Sequence, residues 1–292
     1  MNNEFDNQKQ QFFKYICNNC QNTMFSKSEL TTCVFCGENL NEKIDGQTIN
    51  NYSHIIPFVV SKDDVIKNYK KRIMFNPIVP FVFKSKKVMQ SISTIYIPEY
   101  LISTNVSGDV SFLAGDKQVI DNKKNTVTKK YRVKDYSNID YNDVLINLWS
   151  KIDSALFVGA FTYDYSQLKE LNLNEFDDIV IGEDINLEEE LTSLNTKILN
   201  NSLSFIKNSV KHDLKKVSEN NLQIKLLNYK KILVPVYFLN VNYKGKNYQY
   251  IGNGQNGKDI FNFPIGILEL VIFSLLLFLI IFAVAFLFAK IL

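Results

Sequence analysis

Cys17-Asn-Asn-Cys20 and, after a twelve-residue gap, Cys33-Val-Phe-Cys36-Gly37 are the stretches that decide how this chain begins to fold. They hold all four cysteines of the 292 residues. Each Cys-x-x-Cys puts two sulfurs at the tip of a tight turn. Two such turns facing each other give the tetrahedral four-thiolate geometry that Zn2+ accepts. Gly37 fits, because the residue just past such a knuckle often needs positive φ. Two disulfides or a redox pair compete with this reading, but redox motifs rarely come as a spaced pair. Met24, Phe25, Val34 and Phe35 in and around the gap supply apolar material for a small core. The expected metal ligands are Cys17, Cys20, Cys33 and Cys36. With four thiolates no coordination position stays open for water, so the expected Zn2+ is structural.

At the other end, Leu270 to Ala289 reads LVIFSLLLFLIIFAVAFLFA, twenty residues without a charge. At about 1.5 Å per residue this crosses a hydrocarbon layer of about 30 Å. A core helix is seldom apolar on every face over such a length. Glu269 and Lys290 bracket the span and can reach the interface. Met1 to Gln11 is polar and does not resemble a secretory signal. Thiolate ligands favour a reducing compartment. The expectation is a cell-membrane protein with a single C-terminal span and a cytoplasmic N-terminal body.

Net charge is only +3, which gives no global polyanion signal, but the charge is unevenly placed. Lys62 to Lys87 holds eight Lys/Arg against Asp63 and Asp64, and Lys117 to Lys134 holds seven against Asp121. Asp164 to Glu190 holds ten acids against Lys169. Such blocks are mostly solvated faces and sometimes binding surfaces.

The middle of the chain reads as a repeat. Ile97-Pro-Glu-Tyr-Leu-Ile-Ser-Thr-Asn-Val-Ser-Gly108 aligns without a gap on Val234-Pro-Val-Tyr-Phe-Leu-Asn-Val-Asn-Tyr-Lys-Gly245. Each copy is a β-rich run reaching a turn glycine, followed by a second run, Val110–Leu113 or Tyr248–Ile251. That is a hairpin pattern. A helix is expected before each. Ser61-x-x-Asp64 opens one as a capping box, to about Arg72. Asn195 to Lys216 carries Ile198, Leu203, Phe205, Ile206, Val210 and Leu214 at helical spacing. Leu222–Leu227 and Ile232–Val241 read as strands. Tyr141–Phe161, with the single tryptophan Trp149, reads as core. Leu171–Glu190 reads as a connector with short helices.

The expected class is α+β: an N-terminal zinc ribbon, a tandem helix-plus-antiparallel-sheet body similar to PepSY and cystatin-like folds, and one transmembrane helix. The expected boundaries are 1–41 for the ribbon, 50–140 and 195–262 for the two repeats, 141–194 for the connector and 265–290 for the span.

Gly252, Gly254 and Gly257 satisfy G-x-G-x-x-G, but such a loop needs a helix directly after it to hold phosphates. Asp259 also stands where a Walker A loop requires Ser or Thr. His54 lies in an apolar run before Pro57, and His212 in the basic end of the expected second helix. No nucleophile–base pair or HExxH is present. The chain is expected not to be an enzyme.

Over nearly its full length the chain resembles the TFIIB-type zinc ribbon-containing membrane proteins of low-GC Gram-positive bacteria and mollicutes. The residues that carry the likeness are the two cysteine knuckles, Ile56-Pro-Phe-Val-Val-Ser-Lys-Asp-Asp64, Ile95-Tyr-Ile-Pro-Glu-Tyr-Leu101 and Tyr163-Asp-Tyr-Ser166. To these are added Leu233-Val-Pro-Val-Tyr-Phe-Leu239, Tyr243-Lys-Gly-Lys-Asn-Tyr248, Asn253-Gly-Gln-Asn-Gly-Lys258 and the terminal apolar segment. Where this chain has Tyr100 and Tyr237, such proteins usually carry Trp, and an aromatic body with a polar tip is kept. The resemblance implies a metal site and an architecture, not a reaction.

Two function classes follow. One is a membrane-anchored protein-interaction module or scaffold. The other tethers nucleic acid to the membrane through the ribbon and the basic segments. Between Cys17 and Cys36 the only charges are Lys27 and Glu29, which disfavours the second. The basic segments can instead lie on anionic lipid.

Overall fold

The computed structural model describes residues 12–47, 49, 51–119, 126–152, 162–212 and 214–291. The expectations for Met1–Gln11, for Asp121, Lys123 and Lys124 of the second basic block, and for residues 153–161 of the tryptophan segment lie outside these residues. In chain order the strands are β1 Phe12–Ile16, β2 Thr23–Ser26, β3 Lys43–Gln47, β4 His54–Ile55, β5 Ser93–Val119 and β6 Thr126–Asn147. They continue with β7 Lys169–Glu170, β8 Ile179–Ile181, β9 Leu214–Asn220, β10 Gln223–Tyr243, β11 Lys246–Asn253 and β12 Asp259–Phe261. The helices are α1 Lys62–Met74, α2 Lys86–Gln90, α3 Leu187–Ser209 and α4 Ile267–Ile291, with a 3-10 turn at Phe81–Lys84.

Two compact units result. The first comprises 1–98, 149–183 and 232–292, and the second 99–148 and 184–231. The α+β class and the apolar terminal helix are as expected. The five consecutive segments read from the sequence are not the units observed, because β5 and β10 each run from one unit into the other. Each expected repeat is thereby divided. The mixed α+β class stands, without two consecutive repeat units.

In the first unit the strand order is β12-β11-β10-β5-β8-β2-β1-β3. The expected connector supplies a strand of it. β8 pairs parallel with β5 (Ile95 opposite Ile179) and antiparallel with β2 (Met24 opposite Ile181). Ile179-Val-Ile181 is a short apolar run between acids, long enough for a buried strand and too short to leave a periodic signal. The cysteine-bearing hairpin β1–β2 is joined to the sheet through it, and β3 extends that hairpin past the expected boundary at residue 41.

Helix α1 begins where the capping box placed it. Ser61 Oγ accepts from the Asp64 N–H at 3.2 Å and donates to the Asp64 carboxylate at 2.7 Å. Asp63 and Asp64 in its first turn and Lys71 and Arg72 in its last complement the helix dipole. Val65, Tyr69 and Ile73, four apart, are its buried face and pack with Phe83, Leu239 and Tyr250. Truncating Ile73 to Ala would cost about 2–5 kcal/mol.

Of the two expected hairpins, one forms. Lys244 and Gly245 have φ of +53° and +75° and join β10 to β11 with Tyr243 opposite Lys246, a two-residue turn. At Gly108 the strand does not turn. β5 continues to Val119 and pairs with β6 from Glu99–Asn147 to Val119–Thr126. The φ of Gly108 is +143°, and a Cβ there would run into the backbone carbonyl of Asn221. The glycine therefore serves a close crossing of two backbones.

The second unit holds β6, β5 and β9 side by side, β9 pairing with β5 from Val110–Asn220 to Gly115–Leu214. Helix α3 starts earlier than expected, capped by Asn186 Oδ1 on the Glu188 N–H. It also ends earlier, and residues 214–216 belong to β9. Ile206 and Val210 close a core with Val110 and Phe112. Leu187, Leu191 and Leu194 cover Ile102, Ile146 and Leu148.

Candidate metal centre

The two knuckles share one backbone pattern. Gln21 N–H donates to the Cys17 carbonyl at 2.8 Å, and Gly37 N–H to the Cys33 carbonyl at 2.9 Å. Cys17 N–H then reaches Asn22 O, and Cys33 N–H reaches Glu38 O. Gln21 and Gly37 occupy the same place with φ of +58° and +74°. The left-handed residue that the sequence flags with Gly37 is thus met by a glutamine in the first knuckle.

This repeated turn brings the four sulfurs together. All Sγ atoms lie within 4.8 Å of one another, with Cys17–Cys36 at 3.5 Å and Cys20–Cys33 at 3.6 Å. A tetrahedral zinc with Zn–S bonds of about 2.3 Å needs sulfurs about 3.8 Å apart. The four are free thiols, not disulfides. The cluster fits a metal ion, and its all-sulfur donors are consistent with zinc. Burial pushes the Cys33 thiol far above its ordinary value and raises Cys20 as well. At Cys17 the same burial is outweighed by hydrogen bonds from the backbone N–H groups of Cys20 and Asn19, which lower it.

The expectation of a small self-contained core around the metal is corrected. Phe35 packs on Trp149 with ring centroids 4.6 Å apart and on Phe238 at 5.3 Å, and Asn240 Nδ2 donates to the Phe35 carbonyl. Trp149 is fully buried, and its indole N–H donates to Asn22 Oδ1 at 3.1 Å. Asn22 Nδ2 in turn points at Cys20 Sγ, 3.2 Å away. Such outer partners orient metal ligands and tune them. In the sequence Asn22 carries no signal for this role, and the apolar neighbours of Trp149 point only to core. Their pairing spans 127 residues and has no local signature.

Beside the second knuckle opens a cavity of about 620 Å³ with a largely polar lining, including Thr32, Lys62, Asp177, Asp178 and Asn240. Burial, and then neighbouring Asp177, raise the Asp178 carboxyl. Asn240 Oδ1 is buried and has no hydrogen-bond partner among the described residues.

The remaining motifs go elsewhere. After Gly257 comes strand β12, not the helix that a phosphate loop needs. Gly254 lies against the Phe58 ring and the Pro235 side chain, and its carbonyl accepts from Val59 and Val60, so it is a backbone crossing. His54 sits in β4 beside Ser53. His212 lies past the end of α3, not within it as expected. It pairs with Asp116 at 3.0 Å and stacks on Tyr131. The two histidines and the four cysteines do not form one constellation.

No family model matches the chain, and no solved structure matches it. Among curated proteins it is similar to the uncharacterized protein YdjG of Bacillus subtilis (strain 168), 24% identical over 217 residues. That region is 72% of this chain and 63% of the Bacillus protein, so the chain spans less than two thirds of this relative's length. The likeness is distant and brings no activity with it.

Proposed function

We propose that this chain is a membrane-anchored zinc-ribbon protein whose body binds another protein at the cytosolic face. The observation that carries the proposal is the polar cavity beside the second knuckle. Its lining includes the exposed side chain of Asp177 and lies next to the loop that the four thiolates would hold in place. A partner's N–H or ammonium group is what such an exposed carboxylate takes. Cys17, Cys20, Cys33 and Cys36 would hold the metal, which cross-links the two knuckles and so preserves one wall of the cavity. The resemblance to TFIIB-type zinc ribbon-containing membrane proteins supports the zinc assignment and the anchor. Helix Ile267–Lys290 is long and apolar enough to cross a membrane and is not buried within the protein. Metal-ligating thiolates favour the reducing side for the body.

The test is a crosslinking capture from detergent-solubilised membranes with the tagged full chain. Asp177→Lys should lose the partner while keeping a full zinc content. Capture of the same proteins by that variant would reject the cavity as the binding site. Salt-sensitive retention of DNA by the purified chain, with no protein captured, would favour the nucleic-acid tether.

A further inference from the structure

We propose that the loop between α1 and α2 is a second membrane contact, in which Met74, Phe75, Phe81 and Val82 enter the headgroup boundary of an anionic bilayer beside the start of α4. The proposal rests on the reading of α4 as a membrane span.

The loop has two apolar faces. Ile73, Val79 and Phe83 point inward and are fully buried in the core of the first unit. Between them Met74, Phe75, Phe81 and Val82 point outward, Phe75 82% and Phe81 56% exposed. The core does not need these four, and solvent alone would favour polar residues in their place.

Two hydrogen bonds fix the height of the loop. Gly266 N–H donates to the Ile78 carbonyl at 2.8 Å, immediately before α4 begins. Glu269 Oε1, in the first turn of α4, accepts from the Phe81 N–H at 2.8 Å. Glu269, expected at the edge of the span, ties the first turn of the apolar helix to the loop with its carboxylate. Phe81 therefore lies level with the start of the span, at the boundary between acyl chains and headgroups. Lys84 closes the loop: its ammonium donates to the Asn76 carbonyl at 3.0 Å and stands 5.6 Å from the Phe81 ring.

Apart from the buried Glu269 carboxylate, the charges that flank this loop are positive. Lys70, Lys71, Lys86 and Lys87 flank the loop and are exposed. The exposed hairpin tip at Lys244 is close enough to act on the charge of Glu269. Apolar side chains at the centre with ammonium groups around them match an anionic lipid surface, with apolar groups below the headgroups and cations among them.

The experiment uses the full chain in vesicles of phosphatidylcholine, with and without phosphatidylglycerol. In Phe81→Trp, the emission added to that of buried Trp149 should be blue-shifted. It should also be quenched by lipids brominated near the headgroup end of the acyl chain, and more strongly when phosphatidylglycerol is present. The wild type should be quenched little. Phe75→Ser with Phe81→Ser should stay resistant to alkaline carbonate extraction while trypsin cleaves faster at Lys84–Lys87. If the emission added by Phe81→Trp is red-shifted and unquenched in a carbonate-resistant protein, the proposal is overturned and the span is left intact. Blue-shifted emission that lipid does not quench also overturns it, since a protein or a second copy then covers the loop. Release of the wild type by carbonate overturns the span reading and this proposal together.

Discussion

Single residues carry the most exposed consequences. Glu99 is fully buried in the second unit, with neither carboxylate oxygen hydrogen-bonded among the described residues. Burial raises its carboxyl far above the usual range. An acid with a raised folded-state value binds its proton more tightly in the folded chain. The stability this group contributes is therefore intact below about pH 4, its unfolded value, and is lost as pH rises. Glu99→Gln should leave stability unchanged near pH 4 and raise it by more than about 1 kcal/mol at pH 7, as read from denaturant midpoints at the two pH values. Equal effects at both would refute the buried neutral acid. Trp149→Phe keeps a ring against Phe35 but removes the donor to Asn22 Oδ1. A loss of about 1–3 kcal/mol and faster zinc transfer to a chromogenic chelator are expected. Gly37 and Gly108 both have positive φ, yet a Cβ at Gly37 meets nothing within 4 Å, whereas at Gly108 it meets backbone. Gly37→Ala should cost about 1–2 kcal/mol, and Gly108→Ala clearly more, in the same denaturation assay.

At the scale of elements, the cysteine-bearing hairpin is part of the sheet. β2 lies on β8 and Phe35 lies on Trp149 and Phe238, so removing residues 1–47 would strip β8 of a neighbour and open an aromatic surface. An exposed strand edge with apolar flanks invites aggregation. The truncated chain is expected to aggregate, or to lose its cooperative thermal transition, in detergent where the full chain stays monodisperse. A soluble, cooperatively folding truncation would show that the ribbon is an independent module. Among ion pairs, Arg72–Asp259 has good geometry at 2.7 Å, but Arg72 is well exposed, so it adds at most about 1 kcal/mol.

For the whole molecule, the proposed metal and the proposed membrane span can be tested separately. Cys33→Ser should lower bound zinc and the thermal midpoint while leaving the protein in the carbonate-resistant membrane fraction. Metal analysis and extraction read the two independently. With the body on the cytosolic side, protease added to intact spheroplasts should spare it, and protease added after lysis should remove it. Digestion in intact spheroplasts would reverse the orientation.

Much of the metal cluster and the apolar helix was legible in the sequence, because both are local. Two knuckles need only a few neighbouring residues each, and a span needs only an unbroken apolar run. The α1 cap was legible for the same reason, since Ser61 and Asp64 meet within one turn. The division into units was not. Pro98–Gly108 and Pro235–Gly245 share a local turn chemistry, and whether the chain turns at the glycine depends on what crosses it. At Gly245 nothing does and the hairpin closes; at Gly108 the Asn221 carbonyl crosses and the strand runs on. Ile179–Ile181 became a strand because β2 and β5 lie on either side of it, and Trp149 met Asn22 across 127 residues. Local sequence determined the knuckles, the cap and the apolar helix. Long-range pairing of backbone donors and buried rings, which only the folded chain brings into register, decided that the cysteine-bearing hairpin belongs to the sheet.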